Sequence, residues 1–201
     1  MMPTVLSHAS SSVQDAVREA LEMGQTLIFP TDTVYGIGGN PWDRRCLERV
    51  RAIKQRPPDQ PFTLHMPTCS SLERYVKLDE CLRKMIRRLL PGPYTLLLPA
   101  AAGAPASAVL DGKIGIRVPD HPFFASTLTS LDRPIFGTSV NRRGQPPLGD
   151  IDAIIDRFAS VDLIITGPVG AGPSAILDAT VRPSRLVRGD PLPGPLQDLL
   201  R

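Results

Sequence analysis

The stretch Thr26-Leu27-Ile28-Phe29-Pro30-Thr31-Asp32-Thr33-Val34-Tyr35-Gly36 decides the fold. Its first four residues form a short apolar run of the kind that makes a buried strand, and the proline ends it. Three hydroxyls (Thr31, Thr33, Tyr35), the Asp32 carboxylate and Gly36, read as a chain-reversing glycine, follow at once. Polar loops at strand ends are where open α/β sheets hold their ligands, so this loop is the first candidate for a site. Tyr35 also fits a core aromatic with a satisfied hydroxyl.

Outward from this run, helical and strand patterns alternate. Upstream, Ser11 and Gln14 fit a capping box, followed by Val13, Ala16, Val17, Ala20 and Leu21 at helical spacing and Gly24 as the stop. Downstream, Cys46, Leu47, Val50 and Ile53 predict a helix that Pro57-Pro58 ends just after Lys54 and Arg56. Phe62–His65 is a short strand, Leu82–Leu90 an amphipathic helix closed by Pro91-Gly92-Pro93, and Thr95–Leu98 and Ile114–Val118 are strands. Pro122 opens a helix to Ser130, and Pro134–Ser139 is a strand running into a polar turn at Asn141–Gly144. A helix at Ile151–Phe158 and strands at Val161–Thr166, Ser174–Leu177 and Leu186–Arg188 complete the pattern. About eight strands interleaved with four or five helices predict an α/β fold: a single domain over 1–201, core 11–188, with a large twisted mixed/parallel open sheet flanked by helices.

Composition narrows the class. At 42% apolar with 22 prolines and 16 glycines, the chain is globular and turn-rich rather than low in complexity. No segment reaches the roughly 18 uninterrupted apolar residues of a membrane helix, and Asp15, Arg18, Glu19 and Glu22 stand where a signal peptide would be apolar. A cytoplasmic protein with no membrane partner is expected. Three cysteines without Cys-x-x-Cys spacing suggest neither a disulfide framework nor a zinc knuckle. A net charge of +3 is too small to mark a nucleic-acid binder.

Several familiar motifs are absent. Neither Gly-x-x-x-x-Gly-Lys-[Ser/Thr] nor Gly-x-Gly-x-x-Gly occurs, so a phosphate site must rest on side chains. There is no His-Glu-x-x-His, and His8, His65 and His121 lie far apart; no protein metal site is expected. Ser139 lies in Gly-Thr-Ser-Val-Asn, which is not a nucleophile elbow.

What remains is a set of residues with two readings each. Lys54-Gln55-Arg56 joins a point charge to a planar fork, a pairing suited to triphosphate oxygens, yet cations also favour helix C-termini. Arg117, inside an apolar strand, needs either a bound carboxylate or a structural acid. Ser139 and Asn141 fit a site or a turn, Ser174 likewise, and His65 a ligand contact or a satisfied core position. Arg44, Arg45, Arg49 and Arg51, with Arg83, Lys84, Arg87 and Arg88, form two stripes that suit RNA phosphates or a solvated helix face.

Taken in order, these residues resemble the YrdC family, the single-domain threonylcarbamoyl-AMP synthases, from about Ser11 to Arg188. The motifs are 30–36, Lys54-Gln-Arg-Pro57, Pro91-Gly-Pro-Tyr-Thr95, Arg117-Val-Pro119, Ser139-Val-Asn141, Pro173-Ser174 and Arg188. The resemblance implies a deep basic cavity and a Mg2+-dependent reaction of threonine, bicarbonate and ATP. The products would be threonylcarbamoyl-AMP, used to modify the adenosine beside the anticodon of ANN-decoding tRNAs, and pyrophosphate. By the same analogy Thr33, His65, Arg117, Ser139 and Ser174 line the threonine site. Lys54 and Arg56 are the catalytic cations, and with Gln60, Lys113, Asn141, Gly149 and Arg188 they hold ATP. Mg2+ would arrive on ATP, with no tightly bound organic cofactor, and the tRNA threonylcarbamoyl transferase machinery would be the partner. The sequence departs from the family pattern at Gln60 (usually Asn), Val140 (Ala), Leu148-Gly149 (Pro-Thr) and Lys113 (a small hydroxyl residue). No second, C-terminal domain is expected. The alternatives are an RNA-binding maturation factor of the same fold and a paralogue with another carbamoyl or nucleotide-hydrolysing activity.

Overall fold

The structure, a computed structural model, describes residues 2–200. The apolar run becomes β2 (Leu27–Phe29), fed by helix α1 (Val13–Glu22), which stops at Gly24 with φ of 63°. The capping box at Ser11 does not form. Ser12 takes the N-cap without a side-chain bond, while Ser10 Oγ accepts from the Ser12 amide.

Gly36 corrects the sequence reading: it does not reverse the chain but begins strand β3 (Gly36–Gly39), antiparallel to β2. The reversal falls in the Thr loop itself. Gly36 is glycine because a Cβ there would lie 2.5 Å from the Phe29 ring.

Eleven strands form one sheet among the described residues. With β1 (Thr4–Ser7), β4 (Thr63–His65), β5 (Tyr94–Pro99), β6 (Val109–Leu110), β7 (Lys113–Arg117), β8 (Ile135–Ser139), β9 (Leu163–Thr166), β10 (Ala175–Asp178) and β11 (Arg185–Arg188), the order is β1-β9-β2-β3-β8-β4-β7-β5-β10-β11. β6 pairs outside this path with β7. Pairs β1/β9, β9/β2, β4/β7 and β5/β10 are parallel and the others antiparallel, so the sheet is mixed and open, as the sequence predicts.

Helices cover the faces of this sheet. α1 packs through Val17 and Leu21 on Leu27 and Phe29, while α2 (Arg44–Lys54) packs through Cys46 and Val50 against Ile28, Ile37 and Phe136. Ile154 of α5 (Ile151–Arg157) joins that second layer. α3 (Glu80–Leu89) seals Leu64, Ile116, Leu96, Leu98 and Leu177 through Leu82, Met85, Ile86 and Leu89. The helix expected after Pro122 is a π-helical stretch, Phe124–Leu128, running into short α4 (Thr129–Leu131); it places Phe123 and Phe124 against Phe29. No helix of the described residues is long and apolar enough to cross a membrane.

Candidate active site

Strand alternation builds the site. Successive side chains point to opposite faces, so burial of Leu64, Ile116, Leu96 and Leu177 under α3 turns their neighbours the other way. Thr63 and His65, Gly115 and Arg117, Thr95 and Leu97, and Ile176 therefore line a cavity of about 510 Å3. That volume suits one small-molecule site. His65 stands opposite Arg117 and Thr63 opposite Gly137, so the floor is pinned by register.

The Thr loop closes one wall. Thr31 Oγ1 donates to the Val34 carbonyl (2.7 Å), accepts from the Thr33 amide (3.1 Å) and meets Thr33 Oγ1 at 2.9 Å. With the Thr31 proton committed to Val34, Thr33 supplies the proton between the hydroxyls and keeps both lone pairs for the cavity. Tyr35 Oη donates to the Gly167 carbonyl (2.7 Å) and accepts from its amide (3.2 Å), which makes it a loop anchor.

Arg117 takes the structural-acid reading, with Asp32 as the acid. Its buried guanidinium pairs through Nη2 with Asp32 Oδ1 and reaches Thr31 Oγ1 from Nη1 at 3.4 Å. Its Nε and Asp32 Oδ2 are buried without a protein partner. Burial lowers the Arg117 pKa and Asp32 opposes that shift, leaving a cation at the cavity floor. Beside it, burial and then the Arg117 charge push His65 down to about 3, so the imidazole is neutral near pH 7. Across the floor the Ser174 and Thr95 hydroxyls lie 2.8 Å apart, and Arg188 Nη2 donates to the Ser174 carbonyl at 2.9 Å.

The cations at the mouth come from the end of α2. Asp43 caps its start by accepting from the Cys46 amide, and Gln55, at φ of 55°, ends it immediately after Lys54. Lys54 then turns inward: Nζ donates to the Ser139 carbonyl, to the Asn141 carbonyl (2.8 Å) and to Asn141 Oδ1 (3.0 Å). An ammonium has three protons, so all are committed to this turn. Ser139 Oγ donates to the same Asn141 Oδ1 at 2.6 Å. Burial, with Arg56 adding to it, brings Lys54 down to about 7. Arg56 donates to the Pro61 carbonyl (2.7 Å), lies over the Phe62 ring at 5.2 Å and leaves a buried Nε unpartnered. Around these residues the cavity continues into an annex of about 170 Å3.

Thr33, Arg56, Gln60, His65, Arg117, Ser139, Asn141, Ser174 and Arg188 all line the main cavity, and Lys54 lines the annex. Lys113 and Gly149 line neither. Lys113 shares the face of Gly115 and Arg117 but sits at the far end of β7, where Asp178 holds its Nζ at 2.8 Å. Gly149 lies outside any helix or strand, with no atom within 4 Å of where its Cβ would be. Thr31, Thr63, Thr95, Gly115 and Gly137 also form the cavity without a site role assigned from sequence; for Thr63, Gly115 and Gly137 the two-residue spacing from His65, Arg117 and Ser139 was the available signal.

The arginine stripes are largely self-neutralised. Arg44 pairs with Glu48, Arg49 with Asp162, Arg83 with Glu73, Arg87 with Glu80 and Arg88 with Asp198. That is the solvated-face reading.

The Sua5/YciO/YrdC family model, described as telomere recombination, matches residues 19–189. The chain is 33% identical over 187 residues to the threonylcarbamoyl-AMP synthase of Vibrio vulnificus, covering 89% of this chain and 98% of that protein. It is 30% identical over 176 residues to the Escherichia coli O1:K1 protein of the same name, covering 82% and 92%. Among solved structures, E. coli YciO superposes with a TM-score of 0.83 at 28% identity, covering 93% of each chain. Pyrococcus abyssi Sua5 complexed with L-threonine gives a TM-score of 0.80 at 27% identity, covering 94% of this chain and 57% of that one.

Proposed function

The chain belongs to the Sua5/YciO/YrdC family, and from that premise we propose that it is an L-threonylcarbamoyladenylate synthase. It joins L-threonine, bicarbonate or CO2, and ATP into threonylcarbamoyl-AMP with release of pyrophosphate. The observation that carries this reading is one cavity with three arginines (Arg56, Arg117, Arg188), a neutral imidazole and a set of hydroxyls, and no Asp or Glu among its lining residues. Such a site suits a carboxylate at one end and phosphates at the other.

The chemistry has two stages. The threonine amine adds to CO2, giving a carbamate and releasing a proton. A carbamate oxygen then attacks the α-phosphorus of ATP while the bond to the bridging oxygen breaks and pyrophosphate leaves. Positioning and charge neutralisation dominate such transfers. Arg117 receives the threonine carboxylate, oriented by Asp32 behind it. Thr33, Ser139 and Ser174 present hydroxyls to the amino acid, and neutral His65 hydrogen-bonds without competing for a proton. Arg56, Gln60, Asn141 and Arg188 face the nucleotide, with Mg2+ entering on ATP as part of the substrate. Lys54, with its protons committed to Ser139 and Asn141, holds that turn in place and adds charge to the annex. Lys113 and Gly149 receive no part.

The product is an activated mixed anhydride, consumed by the transferase machinery that modifies the adenosine beside the anticodon of ANN-decoding tRNAs. We place the protein in the cytoplasm with that machinery. Calorimetric titration of L-threonine tests the reading: saturable binding that D-threonine does not reproduce is expected. Absence of binding, with or without ATP, would refute it in favour of a paralogue with another substrate.

A further inference from the structure

Arg143 is a cation that the mechanism above does not use. It follows the Ser139–Asn141 turn, and its backbone is tied to the site: the Arg143 amide donates to the Lys54 carbonyl at 3.1 Å, and Gly144, at φ of 78°, turns the chain away. Arg143 lines the annex of about 170 Å3 together with Lys54, Arg56, Asn141 and Gly144. That chamber has three cations and no carboxylate among its lining residues. Unlike Arg44, Arg49, Arg83, Arg87 and Arg88 of the helical stripes, Arg143 has no acidic partner within salt-bridge distance among the described residues. Arg142, beside it in sequence and also exposed, does not line the annex.

From these facts we propose that Arg143 is a further positioning residue of the reaction, a guanidinium clamp on the pyrophosphate end of ATP. The inference rests on the synthase reading and adds to it. As the bond between the α-phosphorus and its bridging oxygen breaks, the electron pair stays on that oxygen, and the leaving pyrophosphate gains negative charge. A chamber opening off the nucleotide cavity and walled by Lys54, Arg56 and Arg143 is where that charge is accommodated. Lys54 has committed its protons to carbonyls, and Arg56 is partly committed to Pro61. Arg143 has the most donors available, and its planar fork matches two phosphate oxygens at once.

The test uses inorganic pyrophosphate as the probe, titrated into the full-length protein by calorimetry and assayed as a product inhibitor. Arg143→Ala should weaken pyrophosphate binding about 10-fold, equivalent to about 1.4 kcal/mol, and raise the KM for ATP while leaving that for threonine unchanged. Arg143→Lys should recover part of the loss, because it keeps the charge without the fork. Arg142→Ala removes the same charge from the neighbouring position and should bind pyrophosphate as the wild type does. Equal binding by Arg143→Ala and wild type overturns the clamp while leaving the synthase reading intact. Equal losses from the Arg142 and Arg143 variants also overturn it, since they report a general field rather than a contact. No pyrophosphate binding by the wild type overturns the phosphate site on which the inference stands.

Discussion

Replacing Arg117 by methionine separates what the residue does for the fold from what it does for the substrate. The guanidinium and the Asp32 carboxylate are 6% and 12% exposed, so neither is screened by bulk water. Removing one member of such a pair leaves an uncompensated charge, at a cost of about 3–5 kcal/mol. At about 2–4 °C per kcal/mol for a chain of this size, Tm should fall by about 6–20 °C. The double variant Arg117→Met/Asp32→Asn removes both charges of the pair, and its Tm should return close to that of the wild type. Threonine binding should be lost in both, because the carboxylate receptor is gone in both. Thermal unfolding followed by circular dichroism and threonine calorimetry on the three proteins give the full comparison. A single variant that melts with the wild type refutes the buried ion pair. A double variant that recovers its Tm and still binds threonine refutes the carboxylate role.

The two glycines of the cavity floor should behave differently. A Cβ on Gly137 would lie 2.8 Å from the His65 ring and 2.9 Å from Phe29, so Gly137→Ala should destabilise by about 1–3 kcal/mol in urea unfolding. At Gly115 the nearest atom is 3.5 Å away, so Gly115→Ala should unfold with the wild type and weaken threonine binding by filling the cavity. Lys54 is charged below about 7 and neutral above it, so ATP affinity should fall as pH rises past that point, whereas Lys54→Met should bind ATP weakly with that component of the pH dependence removed; identical profiles would refute the charge role. The same depressed pKa makes the unfolded chain bind the proton that the folded one releases, so relative to Lys54→Met the wild type should gain stability between pH 7 and 10.5. His65, held near 3, should contribute no titration to threonine affinity between pH 5 and 8; a step near 6 that vanishes in His65→Asn would contradict its neutrality.

Much of this was legible in the sequence because apolar periodicity fixes which face of a strand is buried. Once Leu64, Leu96 and Ile116 are assigned to the core, His65, Thr95 and Arg117 must face the other way. β3 was not legible as a strand, since Gly36-Ile37-Gly38-Gly39 has little strand propensity. It pairs there because β8 comes so close that a Cβ on Gly38 would strike the Phe136 carbonyl, a tertiary constraint with no local signal. β1 escaped notice as a short, mostly exposed edge. The Asp32 partner of Arg117 was also hidden, because it lies 85 residues away in sequence. Lys113 came from the family analogy; strand parity gives its face but not how far along the strand the cavity extends.

On the proposed function, one cavity brings threonine, bicarbonate and ATP to a single reaction. Pyrophosphate release from ATP and Mg2+, measured with threonine and bicarbonate supplied or withheld, tests it most directly. Release is expected only when both are present, with threonylcarbamoyl-AMP formed in equal amount. Release at the same rate without threonine, or none with every substrate present, would contradict it.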